Sequence, residues 1–403
     1  MQTSNRRVEH AMIVICEPQF WGFQHAPVNA ALIGTVADAF QDEELLFLAE
    51  AEHIRYVKNI LDAHSVVVRY RETTIPPRGL QNYQRSAPDF RLCRNVFRVA
   101  HKNHANTIIF CSATTPGLIS IKTLLRRYRD IVCLVVLHDI LQDVTRTPPL
   151  LPHRRFFSFR LWMSFSNTRR LRYVVLGPRI EERLKQYVPR ASSYVSSIDL
   201  PYFFSDDVGP EPFADDAVRF GSYGIGSFEK GTDIFFNLAE EVQSAKTTYK
   251  PTFTLIGQIP QKQLKDVPHT SVNIPSPDVP LDQEAYEKLC RNVDYALFFY
   301  RPDAYELRAS GAILDAFSFL KPIIALKSPL SEYYFKKMGD IGYLCENRNA
   351  MKDAVLDILE TMPTDRYRQQ QENILTQRVQ FSPAGLSLKF RNLLQASPQN
   401  VDI

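Results

Sequence analysis

The chain is expected to fold as an α/β protein built on two doubly wound, parallel sheets. Three observations carry this. Its 403 residues exceed one ordinary hydrophobic core, so two domains of roughly 150–200 residues are expected. Short apolar runs alternate with helical patterns along most of the chain, as in a parallel sheet covered on both faces. The alternation breaks once, at the polar patch of Asp206, Asp207, Gly209, Pro210 and Pro212, and a second series begins at Val218. The expected domains are therefore residues 1–205 and 206–380. Residues 381–403 form a tail expected to pack back on the first domain.

Taken in order, Ala11 to Cys16 is a β-rich run ending at Glu17-Pro18. The loop Gln19 to Pro27 leads to a helix from about Val28, with Ala30, Ala31, Leu32 and Val36 on it. Leu45 to Ala49 reads as a strand and is followed by a helix from about Glu52. His64 to Tyr70 reads as the third strand, and Arg91 to Ala100 as a helix. Thr107 to Cys111 is a strand, with a helix from Leu118 to Tyr128 after a Thr-Thr-Pro-Gly turn. Ile131 to Leu137 and Tyr173 to Leu176 complete the first series. In the second, Val218 opens a strand, Phe253 to Ile256 is another, and Val272 to Ile274 a short one. A helix from Gln283 to Cys290 feeds the strand Tyr295 to Tyr300. Ile323 to Leu326 is a strand, and Ala350 to Met362 and Asp365 to Val379 are helical.

Composition narrows the classes of function. Apolar residues at 45% and charged residues at 23% describe an ordinary folded protein, and a net charge of +4 does not call for nucleic acid. Six cysteines are scattered without a C-x-x-C pair; Cys16, Cys111 and Cys133 sit in strand-like runs and read as buried reduced thiols. No run of about 18 apolar residues suggests a membrane span, and no signal peptide is read, so a cytoplasmic location is expected. No cluster of metal-ligand spacing appears; His64, His101 and His104 are too dispersed.

The stretch from Asp294 to Leu326 organises the second domain. A doubly buried strand delivers a loop, and the loop delivers a helix N-terminus that Ser310 can cap among the small residues Ala309, Gly311 and Ala312. Unpaired N–H groups and the helix dipole favour an anion there, and Arg308 beside it suits phosphate. Asp315 lies about a turn and a half further on, able to meet hydroxyls. The alternative is an ordinary βαβ unit with a capped helix. The pattern Tyr305-x2-Arg308-x-Ser310-Gly311-x3-Asp315, ahead of Lys321-Pro322-Ile323-Ile324, resembles the donor motif of GT-B glycosyltransferases with a Glu-x7-Glu signature, in a variant form seen among polysaccharide-assembly transferases. Asp315 falls where that group has its second Glu. The first would fall at Leu307, and Glu306 is one residue early.

The loop 221–231 is a second signal. Gly224, Lys230 and Gly231 match the Gly-x5-Lys-Gly loop of the same transferases, with Ile225 where an Arg is usual. Alone, the loop is simply a glycine-rich turn; it fits neither the P-loop nor the dinucleotide fingerprint. The resemblance covers 218–345 closely and 1–205 in architecture only. It implies two Rossmann-like domains facing a cleft, and transfer of a sugar from a nucleotide-diphosphate sugar to a saccharide acceptor, lipid-linked, in surface polysaccharide assembly. It also implies a metal-independent, hexosyltransferase-like reaction without cofactor. Ser310 and Gly311 would hold the diphosphate, Lys230 and Arg308 offset its charge, Asp315 bind ribose, and Glu306 and Tyr305 lie near the sugar. A nucleotide-sugar epimerase and a non-catalytic binding protein of the same fold are the alternatives.

In the first domain the loop with Trp21, Gly22, His25 and Asn29 follows the first strand. His25 is a candidate proton acceptor or acceptor contact, against a plain surface histidine. His138-Asp139 ends another strand. From His153 to Arg172 there are six arginines and no acid, with seven large apolar residues between Phe156 and Phe165. That mix suits an anionic membrane surface and a peripheral location on the inner face of the cytoplasmic membrane; a core helix with basic flanks or an RNA-contacting patch are the alternatives.

Overall fold

The computed structural model describes residues 12–138, 140–147, 150–213, 217–301 and 305–395. The chain divides into two compact units, Met1–Tyr202 with Phe381–Ile403, and Phe203–Gln380.

The first unit holds a seven-stranded parallel sheet. Its strands are β1 (Met12–Cys16), β2 (Glu44–Ala49), β3 (Arg69–Glu72), β4 (Thr107–Phe110), β5 (Val132–Leu137), β6 (Leu171–Leu176) and β7 (Val195–Ile198), in the spatial order β3-β2-β1-β4-β5-β6-β7. β1 is buried at every position because helices cover both faces, which is why it reads as a continuous apolar run. The order reverses between β1 and β4. In an open α/β sheet that reversal opens a crevice at the strands' carboxyl ends. The helix Pro383–Gln395 packs on the helix Ala26–Ala39, with Arg391 Nε donating to the Ala39 carbonyl at 2.6 Å.

The second unit holds a five-stranded parallel sheet: β8 (Ala217–Tyr223), β9 (Lys250–Ile256), β10 (Tyr295–Phe298), β11 (Ile323–Leu326) and β12 (Gly342–Cys345), in the order β12-β11-β10-β8-β9. Here the order reverses between β8 and β10, which pair through Tyr295↔Phe220 and Ala296↔Gly221. An aromatic core of Phe220, Phe235, Phe253, Tyr295, Phe299 and Tyr367 fixes the helix Thr232–Gln243 against this sheet. Burying each such ring stabilises by roughly 1.5–3 kcal/mol.

Several elements depart from the sequence reading, each for a local reason. The third strand is Arg69–Glu72, not His64 to Tyr70; His64 caps the preceding helix, and Ser65 takes a left-handed turn. The helix expected from Arg91 begins at Asn82 and carries Pro88 inside it, started by a capping box between Gln81 and Gln84. The helix expected at Leu118 begins at Thr115, because Thr114 Oγ1 accepts the Gly117 N–H. Val272 to Ile274 forms only a single bridge, Asn273 to Thr254. Strands β7 and β12 are four residues each and carry too little pattern to read. All six cysteines are buried and unpaired.

Candidate functional site

In the second unit, the loops leaving β8 and β10 meet at the point where the strand order reverses. A small pocket there is lined by Ser222 to Gly226, Lys230 and Thr232 from one loop and Leu297 to Tyr300 from the other strand. The loop Gly224–Gly231 is folded tightly. Gly257 has φ +151°, and a Cβ on it would lie 2.2 Å from the Gly224 carbonyl oxygen, so the turn after β9 can hold no side chain there. Gly231 has φ +74°, and a Cβ would sit 2.5 Å from the Phe299 carbonyl oxygen. Between them Ser227 Oγ accepts the Lys230 N–H at 3.3 Å, and Thr232 Oγ1 accepts the Ser227 N–H at 2.9 Å. This turn carries Lys230 back over Gly224: a Cβ on Gly224 would lie 3.7 Å from Lys230 Nζ and 3.9 Å from Ala312 Cβ. Lys230 is half-buried, and burial first, then the nearby Arg308 charge, hold its amine below the usual lysine range.

Ala312 belongs to the first turn of the helix Gly311–Ser318. Ser310 Oγ accepts the Ile313 N–H at 3.4 Å and shares a 2.6 Å hydrogen bond with the Tyr300 hydroxyl. Among the described residues, a Cβ built on Gly311 would meet nothing within 4 Å, so the space beside Gly311 is open there. Thus Gly224, Lys230, Gly231, Ser310 and Gly311, which are up to 87 residues apart in sequence, lie around one corner. Unpaired N–H groups, the positive end of a helix dipole and a lysine there suit a phosphate group.

The remaining expected residues are placed as follows. Tyr305 is buried, its ring stacked on Tyr300 at 3.9 Å. Glu306 is half-buried, and residues 302–304 just before lie outside the described residues. Arg308 Nη1 reaches Glu229 Oε2 at 3.3 Å, and Arg301 Nη2 reaches Asp233 Oδ2 at 3.0 Å. Asp315 Oδ2 accepts the Tyr286 hydroxyl at 2.8 Å, which fixes the carboxylate's direction. Glu229, Asp233, Arg301, Tyr286 and Tyr300 had no signal in the sequence, because each matters only through a partner far along the chain.

The first unit has its own polar centre where the order reverses between β1 and β4. Glu17, just past β1, is fully buried. Its carboxylate accepts from the Gln19 N–H at 2.8 Å, the Phe20 N–H at 3.1 Å, Asn29 Nδ2 at 3.0 Å and Ser112 Oγ at 2.5 Å. Burial pushes its carboxyl up from the ordinary range, and the four donors pull it partly back. Asn29 also meets His53 Nε2 at 2.9 Å, and His53 Nδ1 donates to the Gly22 carbonyl at 2.8 Å. This network fixes the loop that carries His25.

His25 takes a left-handed conformation, φ 55°, at the start of the helix Ala26–Ala39. Its ring lies 3.9 Å from Phe20 and 4.8 Å from His138, centroid to centroid. His138 Nε2–H donates to the Cys111 carbonyl at 3.1 Å. Burial pulls His138 down to about 4, so the ring is neutral at pH 7 with Nδ1 left as an acceptor. Asp139, its sequence neighbour, lies outside the described residues.

The basic segment is less free than its composition implies. It forms two short helices, Pro152–Phe156 and Phe159–Ser164, with Phe159 and Met163 buried. Arg170 donates to the carbonyls of Leu125, Tyr128 and Ile131, Arg160 to that of Tyr187, and Arg172 to that of Leu393. These three arginines hold the fold. Lys122 pins the segment from beneath, donating to the Trp162 and Phe165 carbonyls and to Asn167 Oδ1. Leu150 (94% exposed), Leu151, Arg154, Arg155 and Phe156 face outward together, and Phe165 and Arg169 are also exposed. Among the described residues, no helix is long and apolar enough to cross a membrane, and no group of three His, Cys, Asp or Glu side chains is placed to hold a metal ion.

No family model matches the chain, and no curated protein matches it in sequence. Solved structures do match. HepE from Anabaena, in complex with UDP-glucose, superimposes with a TM-score of 0.61 at 15% identity, over 96% of this chain and 100% of that one. WaaG, a glycosyltransferase involved in lipopolysaccharide biosynthesis, gives 0.62 at 10% identity over 96% and 100%. A protein from Listeria monocytogenes described as a UDP-N-acetylglucosamine 2-epimerase gives 0.54 at 9% over 98% and 100%. These likenesses identify the fold. It is GT-B, the fold of glycosyltransferases, with two Rossmann-like doubly wound units.

Proposed function

We propose that the chain is a glycosyltransferase that takes a sugar from a nucleotide-diphosphate sugar and passes it to a saccharide acceptor. The observation that carries this is the convergence of Lys230, Gly224 and the open N-terminus of Gly311–Ser318 at the strand-order reversal of the second sheet. The donor's diphosphate would sit on the N–H groups of that turn, with Lys230 and Arg308 offsetting charge as the glycosidic bond breaks. Asp315, held by Tyr286, is the ribose-hydroxyl group, and Tyr305 and Glu306 belong to the sugar's side. HepE was crystallised with UDP-glucose on the same fold, which supports a nucleotide-sugar donor. The first unit is the acceptor-binding part, with His25 as its proton acceptor or acceptor contact.

The reaction is proposed to be metal-independent and free of cofactor, since a helix dipole and two cations supply the positive charge a metal would otherwise bring. With UDP-, GDP- and dTDP-sugars as donors, nucleoside diphosphate release is expected to rise when acceptor is added and to continue in EDTA. Release that stops in EDTA and returns with a divalent ion would contradict the mechanism. Interconversion of the donor sugar without any acceptor would favour the epimerase reading, which the Listeria protein's likeness keeps in view. Binding with neither outcome would mark a non-catalytic relative.

A lipid-linked acceptor and a place in surface polysaccharide assembly at the cytoplasmic membrane face extend this proposal. The outward cluster of Leu150, Leu151, Arg154, Arg155 and Phe156 supports it. Each arginine near an anionic surface contributes about 1 kcal/mol, and that attraction is screened by salt, whereas apolar burial is not. Binding to phosphatidylglycerol-containing vesicles is expected to weaken about 30-fold when Arg154 and Arg155 become serine. Wild-type protein should be released only in part by high salt. Equal binding to pure phosphatidylcholine vesicles would contradict the role of the arginines, no binding to either vesicle would contradict a membrane role, and a steep salt dependence on RNA instead would favour nucleic acid.

A further inference from the structure

The two cations of the donor corner are not equivalent. Among the described residues, no carboxylate pairs with Lys230 Nζ, whereas Arg308 Nη1 lies 3.3 Å from Glu229 Oε2. Glu229 belongs to the short turn Phe228–Lys230, immediately before Lys230, and its side chain is 68% exposed. The Arg308 side chain is 31% exposed. An ion pair so open to water is worth less than about five-fold in an equilibrium. The planar guanidinium fork meets the oxygens of a phosphate group in charge-assisted hydrogen bonds that are stronger. The pair is thus weak enough to exchange and close enough to compete.

We propose that Glu229 is a built-in competitor for Arg308 that sets how tightly the corner holds a diphosphate and favours the donor over the released nucleotide. This rests on the reading of the corner as the donor's diphosphate seat. With the seat empty, the Glu229 carboxylate occupies the guanidinium. With a diphosphate bound, the phosphate oxygens take Arg308, and Glu229 turns into the solvent it already faces. Its negative charge nonetheless stays near the ligand, since Glu229 and Lys230 are neighbours on one turn. Like charges at that range repel in proportion to the ligand's charge. A free nucleoside diphosphate carries one more negative charge than its sugar ester, so Glu229 penalises the product more than the donor. Arg301 and Asp233 form a similar pair one turn away, at 3.0 Å. They link the segment after β10 to the helix Thr232–Gln243.

The test uses the full chain, with inorganic pyrophosphate, UDP, GDP and dTDP titrated calorimetrically into wild type, Glu229→Gln, Arg308→Ala and the double variant. Glu229→Gln is expected to bind pyrophosphate and the preferred nucleoside diphosphate about three- to five-fold more tightly at low salt. The gain should shrink as salt rises. In the Arg308→Ala background the same change should gain less than about two-fold, because the ion-pair competition is gone and only the screened repulsion of the ligand by Glu229 is left. Affinity unchanged or weakened by Glu229→Gln, with wild type binding normally, would overturn the competitor role and leave the donor seat standing. No binding of any probe to any protein, wild type included, would overturn the seat itself and this inference with it. Glu229 is exposed, so circular dichroism should report the same fold for both glutamine variants.

Discussion

Lys230→Ala is expected to weaken nucleoside diphosphate binding by about 10- to 100-fold while leaving thermal unfolding nearly unchanged. The amine is carried over Gly224 by the turn that Gly231 makes possible, and it faces the same space as the first turn of the Gly311–Ser318 helix. A charge-assisted contact to phosphate in such a place is worth roughly 1.5–3 kcal/mol. Stability should barely move, because Lys230 Nζ has no carboxylate or carbonyl to lose among the described residues and the turn is held by Ser227 and Thr232 instead. Burial already disfavours the charged amine when the site is empty, so an anion that stabilises that charge gains on binding. Arg308→Ala should weaken binding less, since its loss also frees Glu229 from a partner it would have had to release. Calorimetry with UDP, GDP and dTDP checks both. Equal affinities for wild type and Lys230→Ala would remove the lysine from the site.

Glu17→Ala is expected to destabilise the first unit by about 3 kcal/mol or more, read by chemical denaturation. The substitution strips four donors of their acceptor at once: the buried Phe20 N–H, Asn29 and Ser112, and the part-buried Gln19 N–H. Each buried group left unpaired costs roughly 1–3 kcal/mol, partly relieved by relaxation. The loop to His25 and the Asn29–His53 contact depend on this carboxylate, so acceptor-dependent turnover should fall while donor binding in the other unit survives. Glu17→Gln is the milder change, keeping one acceptor oxygen but bringing an amide donor against other donors. A pH signature accompanies it. The folded carboxyl holds its proton more tightly than the unfolded one, from an ordinary value near 4.5 upward. Its contribution is therefore fully present below that value and is lost as pH rises through the folded pKa. The stability difference between wild type and Glu17→Gln should narrow over that window, and a difference that widens with pH would contradict the sign.

What the sequence made legible was local. Tyr295 to Tyr300 reads as a doubly buried strand because its residues are apolar throughout, and the strand formed, Tyr295–Phe298, is buried at every position. Ser310 reads as a cap because capping is decided within three residues, and its hydroxyl does accept the Ile313 N–H. Gly231 and Lys230 could be paired with the later helix only through resemblance to a family motif, and the structure brings both to one strand-order reversal. The unreadable parts are long-range. Glu17 and Ser112 are 95 residues apart, Asn29 and His53 24 apart, and Glu229 and Arg308 79 apart. No periodicity records such pairs. The six arginines of 154–172 were legible only as a count for the same reason: composition counts charges, but three of these guanidiniums donate to carbonyls of other segments.

The central claim is that a diphosphate sits at the corner of β8 and β10, and a crystal structure of the full chain with its preferred nucleoside diphosphate tests it most directly. The account predicts two phosphorus peaks ahead of Gly311, with phosphate oxygens within hydrogen-bond distance of Lys230 Nζ and of the first N–H groups of the Gly311–Ser318 helix. It also predicts Arg308 turned from Glu229 to phosphate. A nucleotide bound with its phosphates elsewhere, and Lys230 and the helix N-terminus untouched, would contradict it.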